Sequence, residues 1–96
     1  MAKLIPFVHK KGGEIQGYHF WCPGCGAYHG FHVKGTVTWK FNGDMEKPTF
    51  TPSLLIDKSR PERRCHLFLT DGQLRFLGDC WHDLKGTTVP LPDDPC

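Results

Sequence analysis

The chain has 96 residues, a hydrophobic fraction of 39% and a formal charge of +2 from twelve basic and ten acidic side chains, which predicts one folded domain over residues 1–96 and excludes a second core. So balanced a charge does not by itself indicate nucleic-acid binding. The N-terminal segment has no apolar run long enough for a signal peptide or a membrane span, so we expect a cytoplasmic protein without a membrane partner.

Alternating patterns predict a mostly β fold in the first half of the chain. Residues 14–20 mix polar residues with aromatic ones and are typical of a strand. Residues 28–41 alternate well enough to predict a longer strand, with a bulge at Gly35. Asn42 and Gly43 predict a turn, and residues 49–56 follow as an edge strand because Pro52 cannot donate to a sheet.

The second half predicts a hairpin and one helical turn. Residues 65–70 and 73–77 read as two strands joined by a tight turn at Asp71 and Gly72. Residues 80–85 predict a short helix that starts at Asp79 and stops at Gly86. The expected fold is therefore a small antiparallel β domain of about five strands, similar to a zinc knuckle or zinc ribbon, with one short C-terminal helix.

The cysteines indicate a metal site. Of five cysteines, Cys96 ends a proline-rich tail, where we expect it to be frayed and free. Without export the remaining four thiols belong to a reducing compartment, where a metal explains them better than disulfides do. We therefore predict a structural Zn²⁺ held by four ligands, Cys22, Cys25, Cys65 and Cys80.

The spacing explains why these four residues would converge. Cys22 and Cys25 flank a Pro-Gly turn, while Cys65 and Cys80 fall at the open end of the predicted hairpin. A histidine, His29 or His82, is the alternative fourth ligand. A redox reading of the Cys-Pro-Gly-Cys segment is the other alternative, but that chemistry needs the first cysteine at the start of a helix, and a β pattern follows here.

Six histidines are many for this length. We expect His9 and His19 at the surface or in packing. His29, His66 and His82 each lie within a few residues of a predicted ligand cysteine. They either surround the metal site and orient its thiolates, or supply a general base or a second, open metal site.

Ser53 lies between two prolines in a segment expected to be rigid. It would act as a nucleophile if His66 lay beside it and Asp71 or Asp79 oriented the imidazole. The alternative is that its hydroxyl caps backbone groups. Residues 58–64 form a basic loop with four cationic side chains that either contact phosphates or are simply solvated: Lys58, Arg60, Arg63 and Arg64.

Three motifs in order cover most of the chain: CPGCGxxH from Cys22, WxFNGDxxKPTFTPSLL from Trp39, and CHxFxTDGxxxFLxDCxHxLxG from Cys65. They resemble a family of small proteins of tailed phages and prophages, whose members often carry the label "ammonia monooxygenase"; nothing in this sequence suggests copper or a membrane oxidase. That family is distantly similar to the peptidase-like component of bacterial ubiquitin-like conjugation operons. The residues that match this component are Pro48, Thr49, Pro52 and Ser53, with His66 after Cys65, and the resemblance strengthens the nucleophile reading of Ser53.

Three functions follow as hypotheses. The first is a zinc-stabilised protein-interaction module of a phage or prophage that docks on a host or phage protein. The second is a hydrolase, a peptidase or esterase with Ser53, His66 and Asp79 as its catalytic residues, related to enzymes that process ubiquitin-like proteins. The third is a nucleic-acid-binding zinc protein that uses the basic loop.

Overall fold

A computed structural model describes residues 2–8 and 12–95, so the expectations for His9 and Cys96 lie outside the described residues. The described residues contain no helix of the length and hydropathy needed to cross a membrane. Their regular secondary structure consists of strands: β1 (Ile5–Val8), β2 (Ile15–Cys22), β3 (Ala27–His32), β4 (Lys40–Phe41), β5 (Phe50–Ile56), β6 (Cys65–Thr70), β7 (Gln73–Phe76) and β8 (Thr88–Pro90).

The first three strands form an antiparallel sheet in the order β1-β2-β3. The hairpin between β2 and β3 closes at the Cys-Pro-Gly-Cys segment, where Cys22 pairs with Ala27. The Gly26 N–H donates to the Cys22 carbonyl oxygen at 2.9 Å. Cys22 and Cys25 are thereby carried together at one end of this sheet.

The other five strands form a second antiparallel sheet in the order β4-β5-β6-β7-β8. Its β6–β7 hairpin is the one predicted from the sequence, since Thr70 pairs with Gln73 across a two-residue turn. Asp71 and Gly72 both have positive φ, 49° and 73°, as a type I′ turn requires. A tight turn fixes the register, so the side chains of β6 and β7 alternate reliably between the two faces of the sheet.

The two faces of this sheet have different characters. One face is buried and apolar, and Leu67 and Leu69 point into it with no exposed area. The opposite face carries His66, Phe68 and Thr70, which occupy the alternate positions of β6. His66 therefore lies on the outer face of β6, away from the core, whereas Cys65 lies on the buried face.

A stack of aromatic rings joins the two sheets. The rings of Phe31 on β3 and Phe50 on β5 lie 4.3 Å apart and nearly parallel, and Phe41 stacks on Phe50 at 4.5 Å. Phe31 and Phe50 have no exposed area. Burial of such rings contributes strongly to the stability of a small domain.

The predicted long strand over residues 28–41 is wrong in its second half. β3 ends at His32, a bent segment follows, and β4 belongs to the other sheet. Gly35 has φ = 115°, a left-handed conformation that breaks the extended chain. Val37, which lies in this segment, is 70% exposed. The chain leaves one sheet here in order to enter the other.

The predicted C-terminal helix over residues 80–85 is also wrong. Cys80 and His82 are buried while Trp81 between them is 47% exposed, a two-residue alternation that a helix of 3.6 residues per turn does not produce. The Trp81 N–H donates to the Arg64 carbonyl oxygen at 2.9 Å. Six residues are too few to nucleate a helix against such outside contacts, so the segment folds as successive turns.

Candidate active site and metal centre

Ser53, His66 and Asp79 are brought together on the outer face of the five-stranded sheet. Ser53 Oγ lies 3.1 Å from His66 Nε2, and His66 Nδ1 lies 3.3 Å from Asp79 Oδ2. The three residues come from β5, from β6 and from the turn after β7. The contacts join a hydroxyl, an imidazole and a carboxylate in that order. This is the geometry of a nucleophile, a general base and a carboxylate that orients the base.

An irregularity in β5 presents the serine. The β5–β6 register shifts between Phe50 and Leu54, so three residues of β5 bulge out of the regular ladder. The Trp39 indole N–H donates to the Ser53 carbonyl oxygen at 3.2 Å and so holds the bulge. Bulges commonly re-aim a side chain beside a functional site, and here the side chain is the Ser53 hydroxyl.

The protonation pattern follows from the partners. An ionised Asp79 can only accept, so His66 Nδ1 must carry the ring proton of a neutral imidazole. Nε2 is then an acceptor, and the Ser53 O–H donates to it. The side chains of His66 and Asp79 are 24% and 43% exposed, so water screens this pair more than it would in a buried triad.

A shallow groove continues the same sheet face beyond His66. It has a volume of about 320 Å³ and is lined by Phe68, Thr70, Gln73, Arg75 and Thr88. Phe68 follows His66 by two residues on β6 and pairs with Arg75 on β7. The groove therefore begins one cross-strand row from the imidazole.

A second cluster lies where the two sheets meet. Ligand atoms of four residues lie within 4.8 Å of one another: Cys22, Cys25, His29 and Cys65. Cys22 Sγ and Cys65 Sγ are 4.0 Å apart, close to the separation of about 3.8 Å that two Zn–S bonds of about 2.3 Å at a tetrahedral angle would give. Three of these ligands come from the β2–β3 hairpin, and Cys65 opens β6.

The thiols of this cluster share protons. The hydrogen bond from Cys65 lowers the pKa of Cys22 to about 4, with help from His29. The same hydrogen bond, followed by burial and the charge of Cys22, raises the pKa of Cys65. Burial raises the pKa of Cys25, against the Trp81 indole N–H, which donates to its sulfur at 3.4 Å. A divalent cation would relieve this arrangement by replacing the shared protons.

The histidines support the fit of a metal ion. His29 Nε2 is buried and has no hydrogen-bond partner, an arrangement that costs free energy unless a ligand satisfies the nitrogen. Imidazole and thiolate together are the donors that zinc prefers. These residues could therefore hold a metal ion with three sulfur ligands and one nitrogen ligand.

Cys80 and His82 belong to a different group. With Cys65 they form a second cluster within 4.8 Å, and all three residues are buried. His82 Nε2 lies 3.5 Å from Cys65 Sγ, while His82 Nδ1 has no hydrogen-bond partner. The four cysteines predicted as one ligand set are thus divided between two groups that share Cys65.

The basic loop does not form a uniform cationic surface. The Arg64 guanidinium donates twice to the Lys58 carbonyl oxygen, at 3.0 and 3.3 Å, and so closes its own loop. Arg63 lines a pocket of about 380 Å³ together with the acidic residues Asp57 and Glu62. Arg60 is exposed.

Three contributors to the site were missed from the sequence. Trp39 holds the Ser53 bulge, Trp81 donates to the Cys25 sulfur, and the Gly24 backbone lies against the His82 ring. A β carbon at Gly24 would lie 2.3–2.5 Å from three His82 ring atoms. None of these contacts has a signal in the local pattern, because each joins residues far apart in the chain.

One family model matches the chain, over residues 2–77, with the description "Bacterial ubiquitination-like system serine protease (BubE)". The match spans Ser53, His66 and the four residues of the first cysteine–histidine cluster, while Asp79, Cys80 and His82 lie just beyond it. No curated protein and no solved structure matches the chain.

Proposed function

The chain belongs to the bacterial ubiquitination-like system serine protease (BubE) family, and we propose that it is a serine hydrolase of peptide or ester bonds. The observation that carries the proposal is the contact series from Ser53 Oγ to His66 Nε2 at 3.1 Å and from His66 Nδ1 to Asp79 Oδ2 at 3.3 Å. A solvated serine loop would not need an imidazole and a carboxylate in this order.

The proposed reaction uses these three residues in turn. Ser53 Oγ attacks the carbonyl carbon of the substrate, and its proton moves to His66 Nε2 as the O–C bond forms. His66 then gives that proton to the leaving nitrogen or oxygen as the scissile bond breaks. A water molecule, deprotonated by His66, hydrolyses the acyl-Ser53 ester. Asp79 keeps the proton on Nδ1 and stabilises the imidazolium that forms.

The substrate class comes from the family and the groove. The family name points to a protein of a ubiquitination-like system. A groove lined by Phe68 and Arg75 on an open sheet face suits an extended peptide segment rather than a compact small molecule. We propose that the substrate is a protein segment whose scissile bond lies over Ser53.

Hydrolysis of p-nitrophenyl acetate tests the proposed enzyme. We expect a burst of about one nitrophenolate per chain and then slower turnover, because the acyl-serine must be hydrolysed. Ser53→Ala should abolish the burst, whereas Ser59→Ala should keep it, since Ser59 is exposed and is the other serine of the chain. Equal bursts in wild type and Ser53→Ala would overturn the proposal.

For the cysteine–histidine cluster we propose a structural Zn²⁺ bound by Cys22, Cys25, His29 and Cys65, so that the Cys-Pro-Gly-Cys hairpin acts as a zinc knuckle. The ion would hold the two sheets together and would take no part in catalysis. Protein purified without added zinc should contain one zinc per chain. Cys25→Ser should lose it and His82→Ala should retain it; the absence of metal from wild type would overturn this assignment.

A second candidate is a protein-interaction module of a phage or prophage, acting in the host cytoplasm on a host or phage protein. It is favoured by the openness of the groove, which offers a surface more than an enclosed cleft. Two readouts separate the candidates. A module should show no burst in wild type, and its Ser53→Ala variant should still bind the partner. Binding to nucleic acid through Arg60 and its neighbours would instead weaken steeply with salt.

A further inference from the structure

Cys80 contacts the backbone of the histidine that the hydrolase proposal makes the general base. Its Sγ lies 3.3 Å from His66 N and 3.2 Å from His66 O. The residue is 5% exposed, so water does not compete for these contacts. One sulfur atom therefore engages both polar groups of the His66 backbone.

The two contacts suit a sulfur that both accepts and donates. The sulfur accepts from the His66 N–H, while its own S–H donates to the His66 carbonyl oxygen. A metal-bound thiolate has no proton to donate, and its lone pairs would face those of the carbonyl oxygen at 3.2 Å. The contact with His66 O therefore fits an unligated Cys80.

Cys80 also connects the histidine to the aspartate. It follows Asp79 directly, and the Cys80 backbone N–H donates to the Leu77 carbonyl oxygen at 3.3 Å within the turn that carries Asp79. The Leu77 N–H donates in turn to His66 O at 2.9 Å. The sulfur thus closes a short loop of contacts that sets the distance between the turn and β6.

We propose that Cys80 is a positioning residue of the hydrolase, which holds the Asp79 turn against His66, and that it is not a metal ligand. The proposal rests on the proposed function of Ser53 and His66. The two cysteines then have different roles: Cys65, at the start of β6, binds the metal ion, and Cys80 aligns His66.

The test compares Cys80→Ala with Cys80→Ser, which keeps one donor and one acceptor on a slightly shorter arm. Misplacement of a catalytic group by about 1 Å can cost about a hundredfold in rate. For p-nitrophenyl acetate we expect Cys80→Ala to lower kcat by about 10–100-fold with KM nearly unchanged, and Cys80→Ser to recover most of that loss. Both variants should retain one zinc per chain. Wild-type kcat in Cys80→Ala, or loss of the metal in both variants, would overturn the proposal.

Two spectroscopic readouts do not depend on turnover. Long-range ¹H–¹⁵N correlations of the His66 ring should show the proton on Nδ1 in wild type and a mixture of the two tautomers in Cys80→Ala. In protein loaded with ¹¹³Cd²⁺, scalar coupling to the cadmium should appear at the β protons of Cys22, Cys25 and Cys65. Coupling at Cys80 would identify it as a ligand and overturn the proposal, even if the alanine variant failed to fold.

These readouts also separate this proposal from the proposed function. If wild type gives no burst while the His66 tautomer still changes in Cys80→Ala, the hydrolase assignment is wrong and the positioning contact stands. If wild type gives a burst and Cys80→Ala matches it in kcat and in tautomer, the hydrolase stands and the positioning role is wrong.

Discussion

Replacing Asp79 by asparagine removes the negative charge beside His66 with little change in shape. At the 3.3 Å separation of His66 Nδ1 and Asp79 Oδ2, an imidazolium–carboxylate pair interacts by about 1.3 kcal/mol in water and by about 5 kcal/mol at an effective dielectric constant of about 20. These energies correspond to factors of about ten and about five thousand in rate.

The exposure of the pair selects the lower part of that range. The Asp79 side chain is 43% exposed, so water screens much of the interaction. We expect Asp79→Asn to lower kcat for p-nitrophenyl acetate by about 10–100-fold, less than the roughly 10⁴-fold loss known for a buried triad aspartate. Asp83→Asn is the matched control, since Asp83 is an exposed aspartate four residues along the chain.

Two results would refute this reasoning. Wild-type kcat in Asp79→Asn would mean that the carboxylate does not orient or stabilise His66 during the reaction. A loss as large as that of Ser53→Ala would mean that the pair is not screened by water as its exposure implies.

The remaining predictions concern stability. Chelation with dipicolinate should lower the Tm by about 15 °C or more, because metal binding is coupled to folding; an unchanged Tm would argue against a structural ion. Phe50→Ala should lower the free energy of unfolding, measured in urea, by about 3–5 kcal/mol. Replacement of the exposed Val37 by alanine should lower it by about 0.5 kcal/mol or less. Gly24→Ala should destabilise the fold by about 1–3 kcal/mol through overlap with the His82 ring. Gly78 has open space around it, so Gly78→Ala should not destabilise the fold. Equal effects of the two substitutions would refute the packing argument.

Local patterns were sufficient where the structure is local. The β6–β7 hairpin follows from a two-residue turn and alternating side chains, and it was predicted with its turn at Asp71 and Gly72. The Cys-Pro-Gly-Cys turn was likewise placed at the junction of two strands. In both cases the residues that determine the geometry are neighbours in the chain.

The errors have a common cause in long-range contacts. Residues 28–41 alternate like one strand, yet Phe31 lies in one sheet and Phe41 in the other, and both rings stack on Phe50. Residues 80–85 have the end signals of a helix, but burial of Cys80 and His82 on one side overrides them. Local propensity is weaker than the free energy of burying such side chains.

The candidate site residues remain predictions, and the structure shows which of them lie close together. Ser53, His66 and Asp79 were named together, and the structure brings them within hydrogen-bond distance. The four cysteines predicted as one ligand set lie in two clusters that share Cys65. Hairpin register alone does not tell whether Cys80 turns toward Cys22 or toward the His66 backbone.

Labelling with a fluorophosphonate tests the central claim, an activated Ser53, most directly. A serine oxygen displaces fluoride from the phosphorus, and its proton passes to the base, so the reaction reports the nucleophile without knowledge of the substrate. Intact-mass spectrometry should show one phosphonyl group per chain, located on Ser53, with labelling at least about a hundredfold slower in His66→Ala. Equal labelling of Ser53 and Ser59, or no labelling of wild type, would contradict the account.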